Sequence, residues 1–108
     1  MNAQRASGLV VTFRTKQLEK CYEKSQQAVR AYGEDVARKY IQRINIIKNS
    51  ENIDVLVKLP GLRCHPLKGN LAGQYSIKLT GFYRLIFVLQ GEALNIVRIE
   101  EVSKHYDD

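Results

Sequence analysis

The sequence is short of the residues on which much enzyme chemistry depends. Of its 108 residues only two are cysteine, Cys21 and Cys64, and only two are histidine, His65 and His105. Cysteines this far apart form neither a disulfide framework nor a zinc-ligand spacing. The expectation is a reduced cytoplasmic protein with free thiols. Cys64 is read as a small buried strand residue rather than a nucleophile, although His65 follows it. The longest purely apolar run, Leu85–Leu89, is far short of the roughly 20 residues a membrane helix needs, so no membrane partner is expected. Only Leu9-Val10-Val11 precedes Thr12 as an apolar stretch near the N-terminus, too little for a secretory signal. There is no phosphate-binding glycine loop ahead of a helix, no HExxH and no Gly-x-Ser-x-Gly. Carboxylates are sparse outside the helices and the tail, which argues against a two-carboxylate hydrolase or a metal nuclease. No cofactor or metal is expected.

What the chain does have is positive charge. Seventeen Lys and Arg against eleven Asp and Glu give a net charge of +6. The excess lies in the first half and the strand-rich region, whereas the last ten residues are net acidic. This balance suits an anionic partner, although a solvated surface would produce the same count. The length supports one domain over 1–108, with a flexible stretch at 1–8 and a mobile tail at 102–108.

Leu9–Phe13 is β-branched and aromatic and reads as a strand. Leu18, Cys21, Tyr22, Ser25, Ala28, Val29 and Tyr32 recur at three- and four-residue steps, the pattern of one helix ending at Gly33. A second helix opens at Glu34-Asp35 and runs through Val36, Ala37, Tyr40, Ile41, Ile44 and Ile47. With Gly33 alone between them, the two should form an antiparallel hairpin. Ile53–Leu59 reads as a short helical turn before Pro60-Gly61. Strands are then expected at Leu62–His65, ended by Pro66, and at Gln74–Leu79, Tyr83–Gln90 and Leu94–Ile99. The fold class is α+β: an N-terminal strand and a helical hairpin packed on a curved, mainly antiparallel sheet, with the other face left for function.

The strand region carries Arg63, His65, Lys68, Arg84, Arg98, Lys104 and His105. RNA can be cut without a metal when its own 2′-OH attacks the neighbouring phosphate. That reaction needs a base, donors for the phosphorane and an acid for the departing 5′-oxygen. Histidine suits the proton transfers near neutral pH, and clustered cations suit the phosphate. Each residue also has an ordinary reading: His65 as a turn cap, Arg84 as a structural cation, Lys68 as an exposed turn lysine.

The run His65-Pro66-Leu67-Lys68-Gly69-Asn70-Leu71-Ala72-Gly73-Gln74-Tyr75-Ser76-Ile77, followed by Tyr83-Arg84-Leu85-Ile86-Phe87, resembles HigB-like toxins of the RelE/ParE superfamily. The Leu59–Arg63 lead-in and Val97-Arg98-Ile99 with Glu101-Val102 are similar to theirs as well. The resemblance implies a toxin of a type II toxin–antitoxin system that cleaves mRNA on the ribosome. It also implies a helix-turn-helix, HigA-like antitoxin as partner, and contact with operator DNA only through that antitoxin. Carried onto this chain, His65 and Lys68 become the acid/base and phosphate-stabilising pair, and Arg84 the cation facing the scissile phosphate. Arg63, Lys78, Arg98 and Lys104 become RNA-binding residues. Many relatives end in Asp-Tyr-His where this chain has Lys104-His105-Tyr106, so His105 and Tyr106 are both candidates for the terminal catalytic position. Within the superfamily a gyrase poison of the ParE kind, or an inactive fold acting only in an antitoxin complex, remain the alternatives.

Overall fold

The computed structural model of the chain describes residues 8–104. Strand β1 (Val10–Phe13) leads into helices α1 (Lys16–Glu23), α2 (Ser25–Tyr32), α3 (Glu34–Lys48) and α4 (Ile53–Lys58). Strands β2 (His65–Pro66), β3 (Gln74–Lys78), β4 (Tyr83–Gln90) and β5 (Ile96–Lys104) follow, with a 3-10 turn at Gly69–Leu71. The sheet order is β1-β5-β4-β3-β2. β1 runs parallel to β5 and the other pairs are antiparallel.

The helices follow from their caps and apolar stripes. Thr15 accepts a hydrogen bond from the Leu18 amide at 3.1 Å, starting α1 just ahead of its first apolar anchor. The expected single helix through Tyr32 is two: Lys24 adopts an extended conformation (φ −128°, ψ 106°) that separates α1 from α2. The apolar period carries across that break, so the pattern alone reads as continuous. Gly33, at φ 88°, then reverses the chain into α3, a conformation a side chain would strain. Leu18, Cys21, Ala28, Val36, Ala37, Tyr40, Ile44 and Ile47 bury against Ile77, Leu85, Phe87, Val97 and Ile99 of the sheet. The Tyr40 hydroxyl donates to the Leu18 carbonyl at 2.7 Å, satisfying a buried polar group and tying α3 to α1.

Two strands differ from expectation. The 62–66 segment does run beside β3, and the Lys78 amide donates to the Leu62 carbonyl at 2.8 Å. Arg63, however, takes φ 50°, which turns the backbone out of the ladder, so regular pairing survives only at His65–Pro66. Pro66 is itself paired in this strand rather than lying beyond its end. An edge strand tolerates a residue without an N–H. Cys64 is buried but precedes the strand. At the C-terminal end β5 is longer than expected, and Val102–Lys104 are strand where a mobile tail was expected. The expected flexible segment at 1–8, apart from Gly8, lies outside the described residues.

A β-bulge shapes β5. Ile86 pairs with Glu101 while Phe87 pairs with Ile99, which leaves Glu100 as the extra residue. Such a bulge bends the strand and increases its twist. No described helix is long and apolar enough to cross a membrane.

Candidate active site

Alternation along β4 settles which residues share a face. Tyr83, Leu85, Phe87 and Leu89 join the core under the helices, so Arg84, Ile86 and Val88 face the other way. Cross-strand partners share a face. His65, Ser76, Ile86 and Glu101 therefore form one row across β2-β3-β4-β5, and Lys78, Arg84 and Ser103 form the next. Ser76 and Ile86 are each only 3% exposed although they stand apart from the main core, so the first row has a shielded floor. From strand spacing and rise, His65 and Arg84 have Cα atoms about 12 Å apart, within joint reach of two long side chains aimed at one phosphate.

His65 is exposed at the sheet edge. Its Nδ1 lies 3.1 Å from the Pro66 carbonyl. A carbonyl only accepts, so this contact takes a hydrogen on Nδ1 and does not engage Nε2. Lys68 is exposed at the start of the 3-10 turn, in the arch closed by the Leu67 amide donating to the Gln74 carbonyl at 2.8 Å. Arg84 is half-buried, and its Nη1 is shielded from water. Burial lowers its pKa, and the nearby Arg63 guanidinium lowers it further. Both remain charged, since an arginine does not deprotonate in a protein. Two residues far apart in sequence thus bring like charges near each other.

The remaining predicted cations divide. Lys78 sits directly across from Arg84. Lys104 lies at the end of β5, its Nζ 5.6 Å from the Tyr83 ring centroid. Arg98 is displaced along the sheet from Arg84 and is engaged by Glu100 at 2.7 Å, while Arg14 reaches the same carboxylate at 3.6 Å. One carboxylate is thus shared by two arginines, which leaves the Arg14–Glu100–Arg98 group net positive. His105 and Tyr106 lie outside the described residues. Sequence reasoning missed Arg43, whose Nε donates to the Lys78 carbonyl at 3.1 Å and props β3 from α3. A charged residue on a helix face gave no signal of that contact. Two clefts of about 520 and 490 Å³, beside α3 and beside the β4–β5 turn, hold no histidine and at most one cation. His65, Lys78 and Arg84 instead share the sheet face opposite the helices. Among the described residues no three His, Cys, Asp or Glu are grouped to hold a metal.

Residues 11–100 match the family described as the RelE-like toxin of the type II toxin–antitoxin system HigB. The chain belongs to this HigB-like toxin family. Solved toxins of the RelE kind share its fold. A YoeB/ParE toxin from Agrobacterium tumefaciens is 17% identical with a TM-score of 0.60, covering 91% of this chain and 100% of that one. The YoeB–YefM complex from Staphylococcus aureus contains a chain 21% identical with a TM-score of 0.59, covering 91% and 98%. YafQ from E. coli is 15% identical with a TM-score of 0.58, covering 90% and 93%. No curated protein sequence matches the chain. The open cationic face described above is thus a feature of a toxin-family domain.

Proposed function

We propose that this HigB-like toxin is a metal-independent endoribonuclease that cuts mRNA on the ribosome and so inhibits translation. The observation that carries the reading is that His65, Lys78 and Arg84 share one sheet face, with Arg63 near enough to Arg84 to lower its pKa. An open face admits a polymer where an enclosed pocket would not. His65 exchanges a proton at Nε2 with the 2′-OH or the departing 5′-oxygen, and Lys68 supports it from the adjoining arch. Arg84, with Arg63 and Lys78, neutralises the phosphorane. His105 or Tyr106 supplies the second proton transfer, and Arg98 extends the cationic track along the RNA. The products are a 2′,3′-cyclic phosphate and a 5′-hydroxyl.

The partner that restrains it is a helix-turn-helix antitoxin of the HigA kind, through which alone the complex reaches operator DNA. The net charge of +6 favours acidic antitoxin segments.

Primer extension on translated message in EDTA-treated extract tests the reading. Wild type should cut, and His65→Ala should slow cutting about 10²–10⁴-fold, the usual contribution of a positioned acid or base. Equal cutting by wild type and the His65→Ala/Lys68→Ala double variant overturns it.

A further inference from the structure

One carbonyl on the β2 side of β3 lacks the donor that a regular ladder would give it. His65 pairs with Ser76, and the Leu67 amide donates to the Gln74 carbonyl at 2.8 Å. The same antiparallel register, carried two residues further, would join Arg63 to Lys78 by two hydrogen bonds. One would run from the Lys78 amide to the Arg63 carbonyl, the other from the Arg63 amide to the Lys78 carbonyl. Neither forms. The Lys78 amide reaches past Arg63 to the Leu62 carbonyl at 2.8 Å, and Arg63 is passed over at φ 50°, which makes the segment a bulge. Among the described residues the Arg63 amide has no acceptor.

A side chain from the helical layer takes the place of the missing donor. Arg43 of α3 donates from Nε to the Lys78 carbonyl at 3.1 Å, and from Nη1 to Gln42 Oε1 at 2.8 Å. This guanidinium is half-buried and held at two points, so its direction is set. A closed Arg63–Lys78 pair would put two like charges directly opposite each other, which is unfavourable across a sheet. The bulge moves Arg63 off that position, and its charge is felt at Arg84.

We propose that Arg43 is a positioning residue for RNA cutting: by occupying the Lys78 carbonyl it keeps Arg63 out of the ladder and fixes where that arginine stands relative to His65 and Arg84. Bulges beside active sites re-aim side chains in this way, and here a helix side chain holds the bulge open. Arg43 itself touches no RNA. It acts through Arg63, from the far layer of the domain. This inference rests on the endoribonuclease reading and adds to it the device that places one of its cations.

Hydrogen exchange followed by NMR, without RNA, reads the bulge directly. The Arg63 amide of wild type should exchange at close to its unprotected rate. In Arg43→Met, which keeps the stem and loses the donor, the freed Lys78 carbonyl should take that amide and slow its exchange about tenfold or more. Arg43→Lys keeps a donor on the helix and should exchange as wild type does. In the translated-message assay Arg43→Met should cut about 10- to 100-fold more slowly, the scale of a misplacement of about 1 Å. Lysine should restore most of that rate. Adding Arg43→Met to Arg63→Ala should cost nothing further, because the two residues act as one unit. A protected Arg63 amide in wild type, or an unprotected one in the methionine variant, overturns the proposal. So does a methionine effect that persists undiminished beside Arg63→Ala, which would mark a general loss of stability. A wild-type protein that leaves the message whole defeats the endoribonuclease reading and the role in cutting with it; the exchange result, taken without RNA, tells that failure from a failure of the bulge.

Discussion

Arg63→Gly should separate stability from activity and move them in opposite directions. Arg63 is exposed, yet it sits at φ 50°, a conformation that costs a non-glycine residue on the order of 1–2 kcal/mol. Its guanidinium also stands near enough to Arg84 to depress that group's pKa. Glycine adopts this φ freely and removes the like charge, but it gives the unfolded chain about 0.5–1 kcal/mol more entropy to lose. The balance is neutral to stabilising by roughly 1 kcal/mol, which for a domain of this size means a melting temperature unchanged or raised by about 4–8 °C. If Arg63 holds a phosphate oxygen, loss of one charge-assisted hydrogen bond of about 1.5–3 kcal/mol should slow RNA cutting roughly 10- to 150-fold. Thermal melts at low and high salt, beside the translated-message assay, read both quantities. The stabilisation should shrink with salt, since screening already weakens the repulsion in wild type. A melting temperature that drops by several degrees would refute the reasoning, because Arg63 would then be a structural residue whose strain is repaid by contacts.

Two further outcomes concern the scaffold. Phe87→Ala removes a fully buried ring stacked on Tyr75 at the sheet centre and should cost about 3–5 kcal/mol, enough to unfold much of a marginally stable domain in a urea titration. Burial pushes the Cys64 thiol up to about 11 from an ordinary value of 9.0. A raised folded-state pKa means the associated stability is whole below about pH 9 and lost as pH climbs through about 11. Cys64→Ala should flatten that alkaline part of the stability curve, and iodoacetamide at pH 8 should leave Cys64 of the native protein unmodified.

Much of the fold was legible because its signals are periodic. Tyr83–Gln90 has the bounds the apolar run suggested, and α3 opens at Glu34 where the acids and Gly33 placed it. The α+β layering follows from the same patterns. Local departures were not legible, because each depends on one residue's dihedrals. Lys24 breaks α1 from α2 without interrupting the apolar stripe, and Arg63 leaves the ladder although nothing in its type demands a positive φ. The bulge at Glu100 is set by pairing across the sheet, which a linear pattern does not record.

The candidate site divides along the same line. His65 and Arg84 were found through their motif, but the rows that join them come from register: a one-residue slip of β3 against β4 would turn Lys78 to the face opposite Arg84. That register is pinned by the core side of the same strands, where Tyr75 meets Phe87 and Ile77 meets Leu85. Packing beneath the helices therefore aligns the cations on the far face, and a register-shifting core change should abolish RNA cutting without touching a single charged residue. The edge is less constrained. With only His65 and Pro66 paired to β3, β2 holds His65 by two residues of ladder and the Leu62–Lys78 hydrogen bond. A short, lightly paired edge leaves His65 freer to adjust than Arg84, which an interior strand holds between two neighbours.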